Sequence, residues 1–224
     1  MFVSRSMARK VTTVDKATGI LEAQSLMQRL EIRHLPVVDE DNHLVGMITD
    51  RDIRSVLPYE LAKGEGDPKQ RDKYAHMKVD DAMSTDLLTV SPTHTLQDAL
   101  LLIEKKKVGA IPVVDDDNKL VGILSVRDLL RAFINVLGIG QPGTLLCILM
   151  EEKVGQLKKI VDIITEENIS FGSVLVARYW EKDKRAVFPY LLSNNVARVK
   201  RRLQENGFTL LDPMQWYMDQ LPNA

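Results

Sequence analysis

Leu35-Pro36-Val37-Val38-Asp39-Glu40-Asp41-Asn42-His43-Leu44-Val45-Gly46-Met47-Ile48-Thr49-Asp50-Arg51-Asp52 returns 76 residues later as Ile111-Pro112-Val113-Val114-Asp115-Asp116-Asp117-Asn118-Lys119-Leu120-Val121-Gly122-Ile123-Leu124-Ser125-Val126-Arg127-Asp128. Each copy reads as strand, polar turn, strand and helix start. The apolar runs are rich in β-branched residues, which suit an extended chain. Asp41-Asn42 and Asp117-Asn118 suit the turn between them. Aligned without a gap, residues 11–54 and 87–130 are identical at 15 of 44 positions, too many for chance. The chain therefore contains a duplicated unit, and two copies predict a pseudo-twofold pair.

Ahead of the quoted stretch, each copy has a short extended piece, Val11-Thr12-Thr13-Val14 and Leu87-Leu88-Thr89-Val90. A helix follows in each. Its stripe is Ile20, Ala23, Leu26, Met27 and Leu30 in the first copy. In the second it is Leu96, Ala99, Leu100, Ile103 and Lys106, with capping hydroxyls at Thr93 and Thr95. The expected order is β-α-β-β-α, twice. Lys63-Gly64-Glu65-Gly66-Asp67-Pro68-Lys69-Gln70-Arg71-Asp72-Lys73 lies between the copies and predicts a loop or linker.

The chain has 224 residues, 45% hydrophobic and 27% charged, a balance that allows real cores. A net charge of -1 and a pI near 6.4 exclude a global basic field for nucleic acid or anionic membrane. The local cluster Arg198, Lys200, Arg201 and Arg202 flanks an apolar stripe of Val196, Val199 and Leu203, and reads as a solvated helix face. Cys147, the only cysteine, lies in an apolar run and reads as a buried, inert thiol. No signal peptide is visible. The apolar stretch around residues 129–150 is broken by Arg131, Asn135, Gly138, Gly140 and Pro142, short of a membrane span. A cytoplasmic location is the expectation.

Asp52 and Asp128 fall at strand-to-helix junctions. A carboxylate has two acceptor oxygens and can take both hydroxyls of a ribose. Thr49 and Ser125 offer hydroxyls to a phosphate, backbone N–H groups at the helix start add partial positive charge, and Arg51 and Arg127 offer bidentate contacts. The competing reading is simpler: Thr and Asp at a helix start form a cap, and the Arg pairs with the Asp. The recurrence of all three residue types in both copies favours a ligand. His34 is the only histidine with a functional case, and no metal-ligand spacing is present.

Two signatures now stand out, Gly46-x-x-Thr49-x-x-Asp52 and Gly122-x-x-Ser125-x-x-Asp128, each following a Pro-Val-Val strand. They resemble the CBS domain. The resemblance implies a tandem pair that binds an adenine nucleotide (AMP, ADP or ATP) as a regulatory ligand, in pockets shared by both copies. One pocket would use Thr12, Ile32, Arg33 and His34 with Ser125, Arg127 and Asp128. The other would use Leu88, Val108, Gly109 and Ala110 with Thr49, Arg51 and Asp52. The pockets are unequal, because Arg33 and His34 are bulky where Gly109 and Ala110 are small.

Gly138, Gly140, Pro142 and Gly143 punctuate the chain, and beyond them the pattern changes. Strand patterns at 144–150, 169–180, 185–192 and 208–211 alternate with helical ones at 155–168 and 195–205. This is the βαββαβ order of a ferredoxin-like fold. It resembles an ACT domain, with Val154 where that family often has proline and Gly155 kept for close backbone approach. Amino-acid binding and a packing role both stay open. Together the segments resemble the acetoin utilization AcuB family.

The expected class is α+β, with a CBS copy at 1–60, a linker at 61–78, a second copy at 79–138 and an ACT-like domain at 139–224. No nucleophile–base set, P-loop or metal motif is present, so a non-enzymatic, homodimeric regulator without a catalytic cofactor is expected. Its regulated protein is not legible. The alternative is an interaction protein with non-binding pockets.

Overall fold

The computed structural model describes residues 1–62, 67–181 and 183–211. The chain divides into two compact units, Met1–Leu130 and Arg131–Ala224, ahead of the expected glycine-rich boundary.

The first copy contains α1 (Ile20–Leu30), β1 (His34–Val38), β2 (Leu44–Thr49) and α2 (Asp50–Val56), followed by α3 (Tyr59–Ala62) and α4 (Pro68–Tyr74). The second contains α5 (Leu96–Lys106), β3 (Ala110–Val114), β4 (Leu120–Ser125) and α6 (Val126–Leu137). In each copy the two strands form an antiparallel hairpin with a matching bulge, between Val37 and Val38 and between Val113 and Val114. Ile20, Leu35, Ile48 and Ile53 close the first core, and Leu96, Ile111, Leu124 and Leu129 are their buried counterparts in the second. Gln24 is buried on α1, where its side chain donates to the Leu61 carbonyl at 2.6 Å.

The expected leading strands do not form. Val14 makes a single parallel bridge to Val37, and Val90 makes one to Val113. Val14 N–H donates to the Pro36 carbonyl at 3.1 Å and Val38 N–H to the Val14 carbonyl at 3.0 Å. The next rung toward Thr12 would need an N–H from Pro36, which has none; Pro112 imposes the same stop on Leu88. The loop reading of the segment between the copies is corrected too. Residues 63–66 lie outside the described residues, but Pro68–Tyr74 is helical. Proline suits the first position of a helix, and Lys69, Gln70 and Arg71 after it are good helix formers.

Each copy is completed by the segment that precedes the other. Val3 is fully buried, and Ala8 and Ile123 exchange backbone hydrogen bonds at 2.9 and 3.0 Å. One repeat later, Val79 is fully buried against the first core, and Ser84 and Met47 exchange bonds at 2.9 Å. Gly46 and Gly122 make room for these crossings. A Cβ there would lie 2.4 Å from Met83 Sδ and 2.6 Å from Met7 Sδ. The two turns also meet. Asn42 and Asn118 adopt φ of 67° and 62°, a left-handed conformation asparagine tolerates. Each side-chain amide donates to the other copy, Asn42 to the Leu120 carbonyl and Asn118 to the Leu44 carbonyl. These reciprocal contacts realise the pseudo-twofold.

The second unit contains β5 (Thr144–Leu145), β6 (Ile148–Glu151), α7 (Gln156–Glu166), β7 (Phe171–Glu181), β8 (Lys184–Leu191), α8 (Ala197–Glu205) and β9 (Thr209–Leu210). In the antiparallel sheet β9 lies beside β6, β6 beside β8 and β8 beside β7. β5 continues the line of β6 along β8. Pro189 faces this break: it accepts from Leu146 N–H at 3.0 Å but has no N–H to return. Ile160, Ile164, Val199 and Leu203 bury the two helices. Lys182, between the strand patterns expected at 169–180 and 185–192, lies outside the described residues.

Two details of this unit revise the expectations. Gly155 caps α7 at φ +90°, with nothing within 4 Å of where a Cβ would stand, so backbone conformation rather than close approach requires glycine. Cys147 is only part-buried, and burial pushes its thiol pKa up. Arg198, Lys200 and Arg201 are exposed, whereas Arg202 is held by Glu166 and Glu167.

Candidate functional site

The β2–α2 junction carries a capping box. Asp52 N–H donates to Thr49 Oγ1 at 3.3 Å, and Asp52 Oδ2 accepts from Thr49 N–H at 2.8 Å and from Thr49 Oγ1 at 2.7 Å. Ser125 and Asp128 repeat it at 3.3, 2.9 and 2.6 Å. The cap reading is therefore realised in both copies. It engages one carboxylate oxygen: Asp52 Oδ1 has no hydrogen-bond partner among the described residues. The expected Asp–Arg pairing is not. Arg54 pairs with Asp50, while Arg51 and Arg127 carry no ion pair among the described residues. The seven-residue α2 is too short for its dipole to matter much beside these groups.

A cavity of about 460 Å3 opens beside this junction. Its size is that of a small-molecule site. The first copy gives Thr49, Arg51 and Asp52, and the second gives Leu88, Val108, Gly109 and Ala110. This is the whole of one pocket expected from the sequence. Arg33 and His34, expected in the other, line this cavity, whereas Thr12, Ile32, Ser125, Arg127 and Asp128 do not line it. The ladder explains why His34 lines it. His34 pairs with Thr49, so the two side chains share one face at close range. The imidazole then extends over Gly109, where a Cβ would come within 2.8 Å of His34 Nε2. A side chain at this position would displace the ring.

His34 is half-buried, and burial holds its pKa below the usual histidine range. The neighbouring Arg33 guanidinium acts in the same direction, while Asp52 and Asp50 oppose it. Arg54, Lys107, Ser84 and Asp86 also line the cavity and were not singled out from the sequence. Ser84 and Asp86 come from the exchanged segment. Its sparse match, Val3 and Met7 to Val79 and Met83, is the signal that could have revealed it. Lys107 caps α5 in a left-handed conformation, φ 55°. Among the described residues, no cluster of His, Cys, Asp or Glu could hold a metal. No described helix is long and apolar enough to cross a membrane.

Comparison with known proteins locates the same units. The CBS domain pattern matches residues 3–59 and 79–135, just over half the chain. Inosine-5'-monophosphate dehydrogenase of Methanocaldococcus jannaschii is 33% identical over 123 residues, 55% of this chain and 22% of that enzyme. The chain thus spans about a fifth of the length of such curated relatives. Among solved structures, one of a protein assigned to acetoin utilization (AcuB) from Vibrio cholerae is 27% identical. It covers 62% of this chain and 95% of its own, with a TM-score of 0.52. CBSX2, a CBS-pair protein of Arabidopsis thaliana, solved in complex with AMP, is 29% identical. It covers 59% of this chain and 96% of its own, with a TM-score of 0.50. With two matched copies, each closed by the other's leading segment, this chain belongs to the CBS domain family.

Proposed function

We propose that the protein is a regulatory ligand sensor that binds an adenine nucleotide in the CBS pair and modulates a partner in carbon metabolism. One observation carries this reading. A single cavity gathers an apolar wall (Leu88, Val108), a carboxylate with an open oxygen (Asp52) and an unpaired guanidinium (Arg51). Base, ribose and phosphate need these three kinds of surface. AMP in CBSX2 supports the ligand class, and likeness to AcuB supports acetoin utilization as the process. No turnover is proposed, and the protein acts as a cytoplasmic homodimer. The second unit serves as an ACT-like assembly module rather than an amino-acid sensor. Its βαββαβ order supports the first half of that statement, and the wholly exposed Val154 at the expected turn supports the second.

Calorimetry with AMP, ADP, ATP and adenosine tests the nucleotide. Asp52→Ala should weaken binding by about 1.5–3 kcal/mol, roughly ten- to a hundredfold in Kd. Thr49→Ala removes the cap but keeps the carboxylate, and should weaken it less. Wild-type affinity in Asp52→Ala would move the carboxylate to a purely structural role. The alternative, an interaction protein with non-binding pockets, is favoured by one fact: both carboxylates already serve their own helix caps. No binding of any of the four ligands would select it.

A further inference from the structure

The cavity contains one group that can change charge near neutrality, and it lines the same cavity as the Arg51 guanidinium. His34 begins β1 directly opposite Thr49, and its ring crosses to the second copy against Gly109. It thus touches both copies from inside the cavity. We propose that His34 takes up a proton when a phosphate-bearing nucleotide enters, so that this protein binds such nucleotides more tightly as the medium turns acid. The inference rests on the nucleotide reading above and adds its regulation.

The surrounding charges set the sign. Arg33 precedes His34 and disfavours a second cation, and burial acts with it. From α2, Asp50 and Asp52 favour one, but Asp50 is already paired with Arg54 and Asp52 with its cap. Arg51 from α2 and Lys107 after α5 add positive charge at the cavity, and Asp86 from the exchanged segment adds negative. In the empty cavity the neutral imidazole is therefore favoured near neutral pH. A phosphate brings about 1.5–2 negative charges. It reverses the balance and favours the imidazolium, which then gains a charge-assisted hydrogen bond. Linkage requires that a ligand which raises a group's pKa be bound with proton uptake. The second copy has Ala110 at the equivalent position, so the effect belongs to one cavity.

The test is AMP calorimetry on the full chain in buffers of different ionisation enthalpy, from pH 6 to pH 8. Net proton uptake of up to about one is expected, with Kd tightening up to about tenfold per pH unit inside the window. Adenosine should bind without it. The phosphate's own titration, with a pKa near 6, runs the other way, because a cationic site favours the dianion and releases a proton. His34→Gln should abolish the uptake while still binding AMP. Uptake unchanged in His34→Gln would overturn the proposal, as would equal uptake with adenosine in the wild type, a comparison that needs no variant to fold. Binding of AMP at constant Kd with no uptake would overturn it and leave the nucleotide reading intact. Absence of any AMP binding would overturn both.

Discussion

The two copies share their backbone devices almost rung for rung and differ in what surrounds them. Both have a proline-limited bridge, a bulged hairpin, a left-handed asparagine and a capping box. At the strand entrance, however, Arg33 and His34 face Gly109 and Ala110. The shared features satisfy backbone groups and fill cores, which no copy can do without. The differences sit around the cavity, where the His34 ring packs over Gly109 and Ala110 is buried. The frame is repeated in both copies, and the residues at the strand entrance are not.

That comparison can be broken, first, by removing residues 1–8. The loss should fall on the second copy, although these residues lie at the head of the first. Burial of Val3 and at least three backbone hydrogen bonds are lost, about 4 kcal/mol or more. Hydrogen exchange should accelerate along β4 and spare β2; the reverse pattern would refute the exchange of segments. Second, Leu35→Ala and Ile111→Ala occupy equivalent, fully buried positions. Each should cost about 2–5 kcal/mol in urea unfolding, with similar values. A large disparity would show that the cores are not equivalent.

The capping boxes sharpen the contrast between frame and site. Thr49→Ala and Ser125→Ala should each destabilise by about 1 kcal/mol. Only Thr49→Ala should also alter nucleotide affinity at the cavity described. Equal effects on ligand would indicate two working pockets. The smallest effect concerns His34. Its folded pKa is depressed, so the unfolded chain binds its proton first. The stability contributed by neutral His34 is present above the unfolded pKa of about 6.5 and is lost as pH falls through that value toward the folded one. His34→Gln should flatten this slope in thermal unfolding of the free protein, and no change in slope would count against a buried, neutral ring.

The hairpins, helices and cap residues were legible because each follows from local chemistry repeated twice. The leading strands misled because a run such as Val11-Thr12-Thr13-Val14 has strand composition, while the missing donor sits in another segment, at Pro36. The helix at Pro68–Tyr74 was hidden by its charge. One cavity's residues were legible through family resemblance. His34's place was not, since it depends on the lack of a side chain at Gly109, 75 positions away in the chain. The role of residues 77–86 was obscured for the same reason: their partners are distant, and their repeat signal is two or three residues long.

The crossed leading segments carry a practical consequence for dissecting the protein. Expressed alone, residues 1–60 would carry a closing piece cut for the other copy and lack their own, leaving the Met47 edge and the groove over Gly46 bare. Residues 79–138 would have the mirror defect at Ile123 and Gly122. Mixed together, two fragments parted between residues 62 and 77 hold matching halves of a reciprocal clasp. They should therefore find each other in solution as a split protein does, where a chain of two independent beads would simply fall into two.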